Sequence, residues 1–231
     1  MTPQLLPANP ISRIYLVDDF LASTGSAAQT GNLNWQAGNT GSGAAPTTLI
    51  APDSYHPGVL SLNTGTTATG RSSILLAATT GAGTMKPYSG AFTMTWYVQV
   101  PTLSNGTDQF AFRCGFGDFT SGDMQNGIYM EYDSSVSANW SLKAANGSTR
   151  TSVVTSIAVA AGSWTKLQLF TNNAAVSFSL AINGTTVGTI NSNIPTSDIS
   201  PIATMIKTLG TTARSVYIDY FVLDYKLSAT R

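Results

Sequence analysis

Large apolar side chains recur at every second position in several separate stretches of this chain, and that regularity restricts it to β-structure. Between Ala91 and Val100, one side carries Phe92, Met94, Trp96, Val98 and Val100, and the other carries Thr93, Thr95, Tyr97 and Gln99. Phe110, Phe112, Cys114 and Phe116 share a face opposite Ala111 and Arg113. Ile128, Met130 and Tyr132 oppose Tyr129 and Glu131, and Val176, Phe178, Leu180 and Ile182 oppose Ser177, Ser179 and Ala181. Successive side chains of a strand point to opposite faces, so each stretch buries one face and hydrates the other. That is the pattern of antiparallel sheets packed as a sandwich.

The rest of the chain agrees. From residue 55 onward, strand-like runs alternate with turn signals, and no ten-residue stretch carries a helical period. Asn183-Gly184 between two such runs is a strong hairpin signal, and Asn146-Gly147 and Asn126-Gly127 are read likewise. A short turn within Thr196–Ile202 is the one helical expectation. Ile14–Phe20 reads as a short first strand. Residues 22–48, rich in Gly, Ser, Thr, Ala and Asn with Trp35 as the sole large anchor, read as a long surface loop. The division expected is an extended arm over residues 1–13, with Pro3, Pro7 and Pro10 excluding a helix, followed by one domain over 14–231. No repeat of 20–50 residues stands out, which argues against a propeller or solenoid.

Composition narrows the function classes. Lys+Arg and Asp+Glu balance at 11 each, so no basic excess exists to neutralise phosphates, and nucleic acid is not an expected partner. No run approaches the ~18 apolar residues of a membrane helix, and the start lacks the features of a signal peptide. Synthesis in the cytoplasm without secretory export is therefore expected. The single cysteine, Cys114, allows no intrachain disulfide. Charged residues are only 10% of the chain, against roughly 25% in an average soluble protein. Either a hydroxyl-rich, well-hydrated surface or coverage in an assembly accounts for this.

The order of segments resembles a known family. Trp164-Thr165-Lys166-Leu167-Gln168-Leu169, then Val176-Ser177-Phe178-Ser179-Leu180, then Ile182-Asn183-Gly184, is similar to the central hairpin of concanavalin A-like lectin/glucanase domains. Val216–Leu223 resembles that family's final strand and Val17-Asp18-Asp19-Phe20 its first, which lie side by side. The resemblance implies a jelly-roll sandwich. A shorter stretch, His56-Pro57-Gly58-Val59-Leu60-Ser61-Leu62 with Thr64–Arg71, looks like virion proteins of tailed bacteriophages. That likeness implies a capsid decoration or fibre module.

Catalytic sets are sparse. The glucanase-like members of the family carry E-x-D-x-E or E-x-D-x-x-E, and retaining hydrolysis needs two carboxyls about 5–5.5 Å apart. Here Glu131-Tyr132-Asp133 lacks the third carboxylate, and Glu131 is the only glutamate. Glu131 is expected to form an exposed cross-strand pair with Arg113. His56 is the only histidine and no Gly-x-Ser-x-Gly elbow exists, so a structural or surface role is expected for it. One His and one Cys do not make a zinc site. Cys114, alternating with phenylalanines, reads as a buried hydrophobe. Asp118, Asp123, Asn126 and Asp133 read as turn residues, with a calcium ion at the loop rim as the alternative. No cofactor is implied. For sugar binding the candidate platform is Tyr97, Tyr129 and Trp140, the competing role being packing within the sheet.

The expectation is a non-enzymatic jelly-roll that coats a phage particle. Pro3, Gln4, Leu5, Leu6 and Pro7 of the arm would dock on a major capsid protein or another virion protein. The chain itself would form a homo-oligomer, a dimer or trimer. A carbohydrate-binding receptor module reading a cell-surface glycan is the alternative, and a glycoside hydrolase the third.

Overall fold

The computed structural model describes residues 12–21, 29–50, 54–77, 83–118, 121–172 and 176–227. In chain order its strands are β1 (Arg13–Asp18), β2 (Gln29–Thr30), β3 (Trp35–Thr40), β4 (Ala44–Ile50), β5 (Gly58–Thr64), β6 (Arg71–Leu75), β7 (Gly90–Gln99) and β8 (Gln109–Gly117). They continue with β9 (Gly127–Asp133), β10 (Ser137–Asn146), β11 (Thr149–Ala158), β12 (Trp164–Thr171), β13 (Phe178–Ile182), β14 (Thr185–Ile190), β15 (Ser200–Leu209) and β16 (Ser215–Leu227). A single 3-10 turn, Pro87–Ser89, is the helical element among the described residues.

The strands form two eight-stranded antiparallel sheets. The first runs β14-β13-β12-β7-β16-β5-β4, with β1 also on β16, and the second runs β11-β10-β9-β8-β15-β6-β3-β2. The long β16 organises the first sheet. One edge pairs with β7. Its other edge takes β5 against Ser215–Ile218 and β1 against Phe221–Lys226. The first and last strands are thus neighbours, as the family resemblance implied. The architecture is the two-sheet jelly-roll sandwich.

The inner faces meet over the alternating residues read from the sequence. Phe92, Met94, Trp96 and Val98 of β7, with Val100 just after it, face Phe110, Phe112, Cys114 and Phe116 of β8, all at most 3% exposed. Trp35, Trp96 and Phe221 form an aromatic knot, with ring centroids 4.6–5.6 Å apart. Each fully buried side chain of this size contributes about 1.5–3 kcal/mol.

Asn183 and Gly184 turn β13 into β14 with φ of 49° and 88°, the left-handed pair of a type I′ hairpin turn. At the β10–β11 hairpin the left-handed pair is Gly147 and Ser148, one residue later than expected. Asn126-Gly127 forms no hairpin turn. Gly127 opens β9, and Asn126 is held by Asp118 across the connection from β8. No helix forms at Thr196–Ile202. Ile199 instead bridges Met85, and Ser200 begins β15.

The loop expected over 22–48 is corrected too. Its described part holds β2, β3 and most of β4, which pair with β3, β6 and β5. These segments lie toward sheet margins, where backbone hydrogen bonds suffice. Trp35 is the one buried residue of β3, so no alternation advertised it.

Candidate functional site

Three strands distant in sequence lie side by side in the first sheet, and their registers assemble a row of rings on its outer face. Tyr97 of β7 stands directly opposite Lys166 of β12 and Tyr220 of β16. One pair along, Gln99 stands opposite Trp164 and Tyr217. Directly opposed residues share a face, so all six project from the same side. Tyr97 stacks on Trp164 with centroids 5.3 Å apart and planes 18° apart, and on Tyr220 at 5.2 Å and 24°. Parallel rings in contact sit about 3.5–4 Å apart, so these are slipped like shingles and each leaves part of a face open. All three side chains are half-buried.

His56, just before β5, closes the end of the row. Its ring stacks on Trp164 at 4.4 Å and 27°. Its Nδ1 lies 3.0 Å from Asp219 Oδ2, with both side chains largely buried. Asp219 is placed there by a bulge: the β16–β7 register shifts between Ile218 and Tyr220, and the extra residue carries the carboxylate. Asp19 adjoins it. Burial, then the charges of Asp219 and Asp18, push the Asp19 pKa up. Burial, then Tyr97 and Asp219, push the Tyr220 phenol up.

A second cluster occupies the outer face of the other sheet. Glu131 sits opposite Arg113, as the sequence implied, but the pair is not exposed: Glu131 is 1% and Arg113 7% exposed. Arg113 Nε approaches Glu131 Oε2 at 2.7 Å and Lys143 Nζ approaches Oε1 at 2.6 Å. Asp123 extends the network, with Arg113 at 3.2 Å, Arg150 at 3.0 Å and a bond from the Tyr129 hydroxyl at 2.5 Å. The connection from β8 to β9 is folded over this face, so Met124 packs with Tyr129, Leu75 and Ile202. Both oxygens of Glu131 are engaged by cations, and the cluster ties the connection to the sheet.

The family model "SO2946-like, C-terminal domain" matches residues 55–219. The chain belongs to the SO2946-like C-terminal domain family. That span starts one residue before His56 and ends on Asp219, enclosing Tyr97 and Trp164. Over 95% of this chain and 89% of the other, the fold resembles the SO2946 protein of Shewanella oneidensis MR-1, a protein of unknown function, with a TM-score of 0.65 and 19% identity. An endo-1,3-beta-glucanase from Streptomyces sioyaensis aligns with a TM-score of 0.60 and 14% identity, over 96% of this chain and 99% of its own. The carbohydrate recognition domain of Emp47p aligns with a TM-score of 0.56 and 12% identity, over 92% and 95%. At these identities the likenesses establish a lectin- and glucanase-type fold. No curated protein matches the sequence.

In this SO2946-like domain the three residues read as a sugar platform separate. Tyr97 lies in the ring row. Tyr129 is corrected: it is fully buried beneath the β8–β9 connection, bonded to Asp123. Trp140 is corrected as well, being 1% exposed and packed edge-on against Phe112 and Tyr132 in the core. Trp164 and Tyr220 were missed. Their signal was present as aromatics on strands flanking that of Tyr97, but the bulge at Asp219 breaks the alternation that would have assigned Tyr220 a face.

The acidic loop turns inward on itself. Asp118 accepts backbone bonds from Gln125 and Asn126 and one from the Asn126 amide, and Asp133 accepts two from Ser135. Among the described residues, no group of three or more His, Cys, Asp or Glu is arranged to hold a metal. Cys114 is buried between the sheets. The arm residues Pro3, Gln4, Leu5, Leu6 and Pro7 lie outside the described residues.

Proposed function

We propose that this SO2946-like domain is a lectin-like module that binds a glycan without turning it over, with sugar rings seated on Tyr97, Trp164 and Tyr220. The slipped, half-exposed stack carries the reading. A pyranose presents a flat patch of C–H bonds that packs on an open aromatic face, while its hydroxyls seek polar groups at the rim. Tyr217, Gln99 and Lys166 supply such a rim, and ligand sites combine apolar surface with a few placed polar groups in this way. The glucanase and the carbohydrate recognition domain among the structural neighbours handle carbohydrate on the same fold. Binding without turnover is favoured by the clamped Glu131 and by the presence of one His and one Cys in the chain.

A glycan array probed with the wild-type chain, Trp164→Ala and Tyr97→Ala tests this, with thermal melts to confirm folding. The expected result is a glycan signal weakened about tenfold or more by either substitution, about 1.4 kcal/mol. No signal on any glycan, or one that both folded variants retain in full, overturns it.

A second reading, a coat subunit on a phage capsid, is favoured by exposed apolar residues at the first sheet's margin. Tyr15 is 60% and Val17 44% exposed on β1, and Leu21 follows at 46%. A chain lacking residues 2–12 is expected to lose capsid binding, and full occupancy by that chain would remove the arm as anchor.

A further inference from the structure

Lys166 gives the ring row a polarity that a neutral sugar does not need. It stands directly across from Tyr97 on the same face. Asn183 of the hairpin turn holds both polar groups of its backbone: Lys166 N–H donates to Asn183 Oδ1 at 2.9 Å, and Asn183 N–H donates to the Lys166 carbonyl at 2.9 Å. The root of this side chain is therefore preorganised beside the rings. Arg13, Lys86, Arg113, Lys143, Arg150 and Arg214 each lie within 4 Å of a carboxylate, whereas Lys166 enters no such ion pair among the described residues. Its neighbours on this face are uncharged: Tyr97 opposite, Gln168 along its own strand and Trp164 before it. Asp219 is rooted on β16, across β7 from the strand of Lys166, and Asp19 lies close to it.

A ligand ring on Tyr97 therefore spans from a negative end to a positive one. We infer, on the basis of the glycan-binding reading, that the site takes a sugar bearing a carboxylate, with the ring on Tyr97 and the carboxylate on the Lys166 ammonium. An ammonium without a protein carboxylate is a point cation ready for an anionic group. Asp219 and Asp19 disfavour the same group on the β16 side, which orients the ligand with its carboxylate toward β12. Two kinds of sugar present this chemistry: uronic acids, with the carboxylate in place of the ring's hydroxymethyl group, and sialic acids, with it on the anomeric carbon; probes of each kind separate them.

The test is titration of the full chain, followed by tryptophan fluorescence and calorimetry, with paired probes. Tetragalacturonate is set against its methyl ester, and sialyllactose against lactose. The expected result is that one acid binds about tenfold or more tightly than its neutral partner, with the advantage shrinking between 0.05 and about 0.5 M salt as the charges are screened. Lys166→Gln is expected to bring the ratio of acid to neutral affinity down to about one, and Lys166→Arg to retain the acid preference. Equal binding of acid and neutral partners, or a preference that survives Lys166→Gln, overturns the inference and leaves the glycan-binding reading standing. Failure of every sugar to bind overturns both.

Discussion

The indole N–H of Trp35 donates to Asp18 Oδ2 at 2.9 Å, a bond between a fully buried carboxylate and a fully buried ring. Three backbone N–H groups, those of Phe20, Asn32 and Leu33, complete the shell around the same carboxylate at 2.8–3.1 Å. Asp18 thereby fastens the end of β1 to the turn that leads into Trp35 and the aromatic knot. Asp18→Asn sets an amide against donors that have no other acceptor. It is expected to destabilise the fold by about 2–4 kcal/mol, since bonds to a charged acceptor contribute about 1.5–3 kcal/mol and an unsatisfied buried group costs more than the lost bond. Urea unfolding checks this. A loss under 1 kcal/mol would mean that the shell is not structural.

Glu131→Gln removes the carboxylate shared by Arg113 and Lys143 and leaves two buried cations facing only Asp123. The expected loss is about 3–5 kcal/mol, the range for breaking a buried pair from one side. Replacing Arg113, Glu131 and Lys143 together by Met, Leu and Met should recover most of it, because the desolvation cost disappears with the charges. Chemical denaturation of the single and triple variants separates these outcomes.

Acid should attack the same region. Burial alone would raise the Asp123 pKa, but the Tyr129 hydroxyl with Arg113, Lys143 and Arg150 outweighs it and holds the carboxyl below its usual value. A carboxyl depressed on folding stabilises the native state above its unfolded pKa, about 3.9, and that contribution is lost as pH falls through the lower, folded value. Stability is therefore expected to drop below about pH 4, and Asp123→Asn should flatten the drop. Burial, reinforced by Asp123, raises the Tyr129 phenol well above its ordinary range. Its absorbance should show no titration before alkaline unfolding.

Cys114 is fully buried, and burial pushes its thiol pKa well up. A thiol-specific reagent such as a disulfide dye is expected to leave it unmodified in the native state and to react fully once urea has unfolded the chain. Fast native labelling would contradict the packing of β8 against β7.

Much of the fold was legible before any coordinates. The inner faces of β7, β8 and β9 and the turn at Asn183-Gly184 follow from local chemistry, because period two and left-handed turn residues act within a few positions, whereas the pairing of β1 with β16 was implied by the family resemblance. The candidate site was legible only in Tyr97. Tyr129 and Trp140 carry the same aromatic signature and sit under a loop and in the core.

What the sequence by itself determined, then, is that this chain alternates in the manner of antiparallel strands and carries one glutamate, one histidine and one cysteine. Which outer face stays open was decided by tertiary structure. Alternation distinguishes two sides of a strand, but the β8–β9 connection, with Lys143 and Arg150 of the neighbouring strands, covers Tyr129, Glu131 and Arg113. The ring row is decided in the same way: Tyr97, Trp164 and Tyr220 meet only because non-local pairing sets the registers of β7, β12 and β16. The bulge at Asp219, which brings a carboxylate to His56, is a property of that pairing and not of any segment alone.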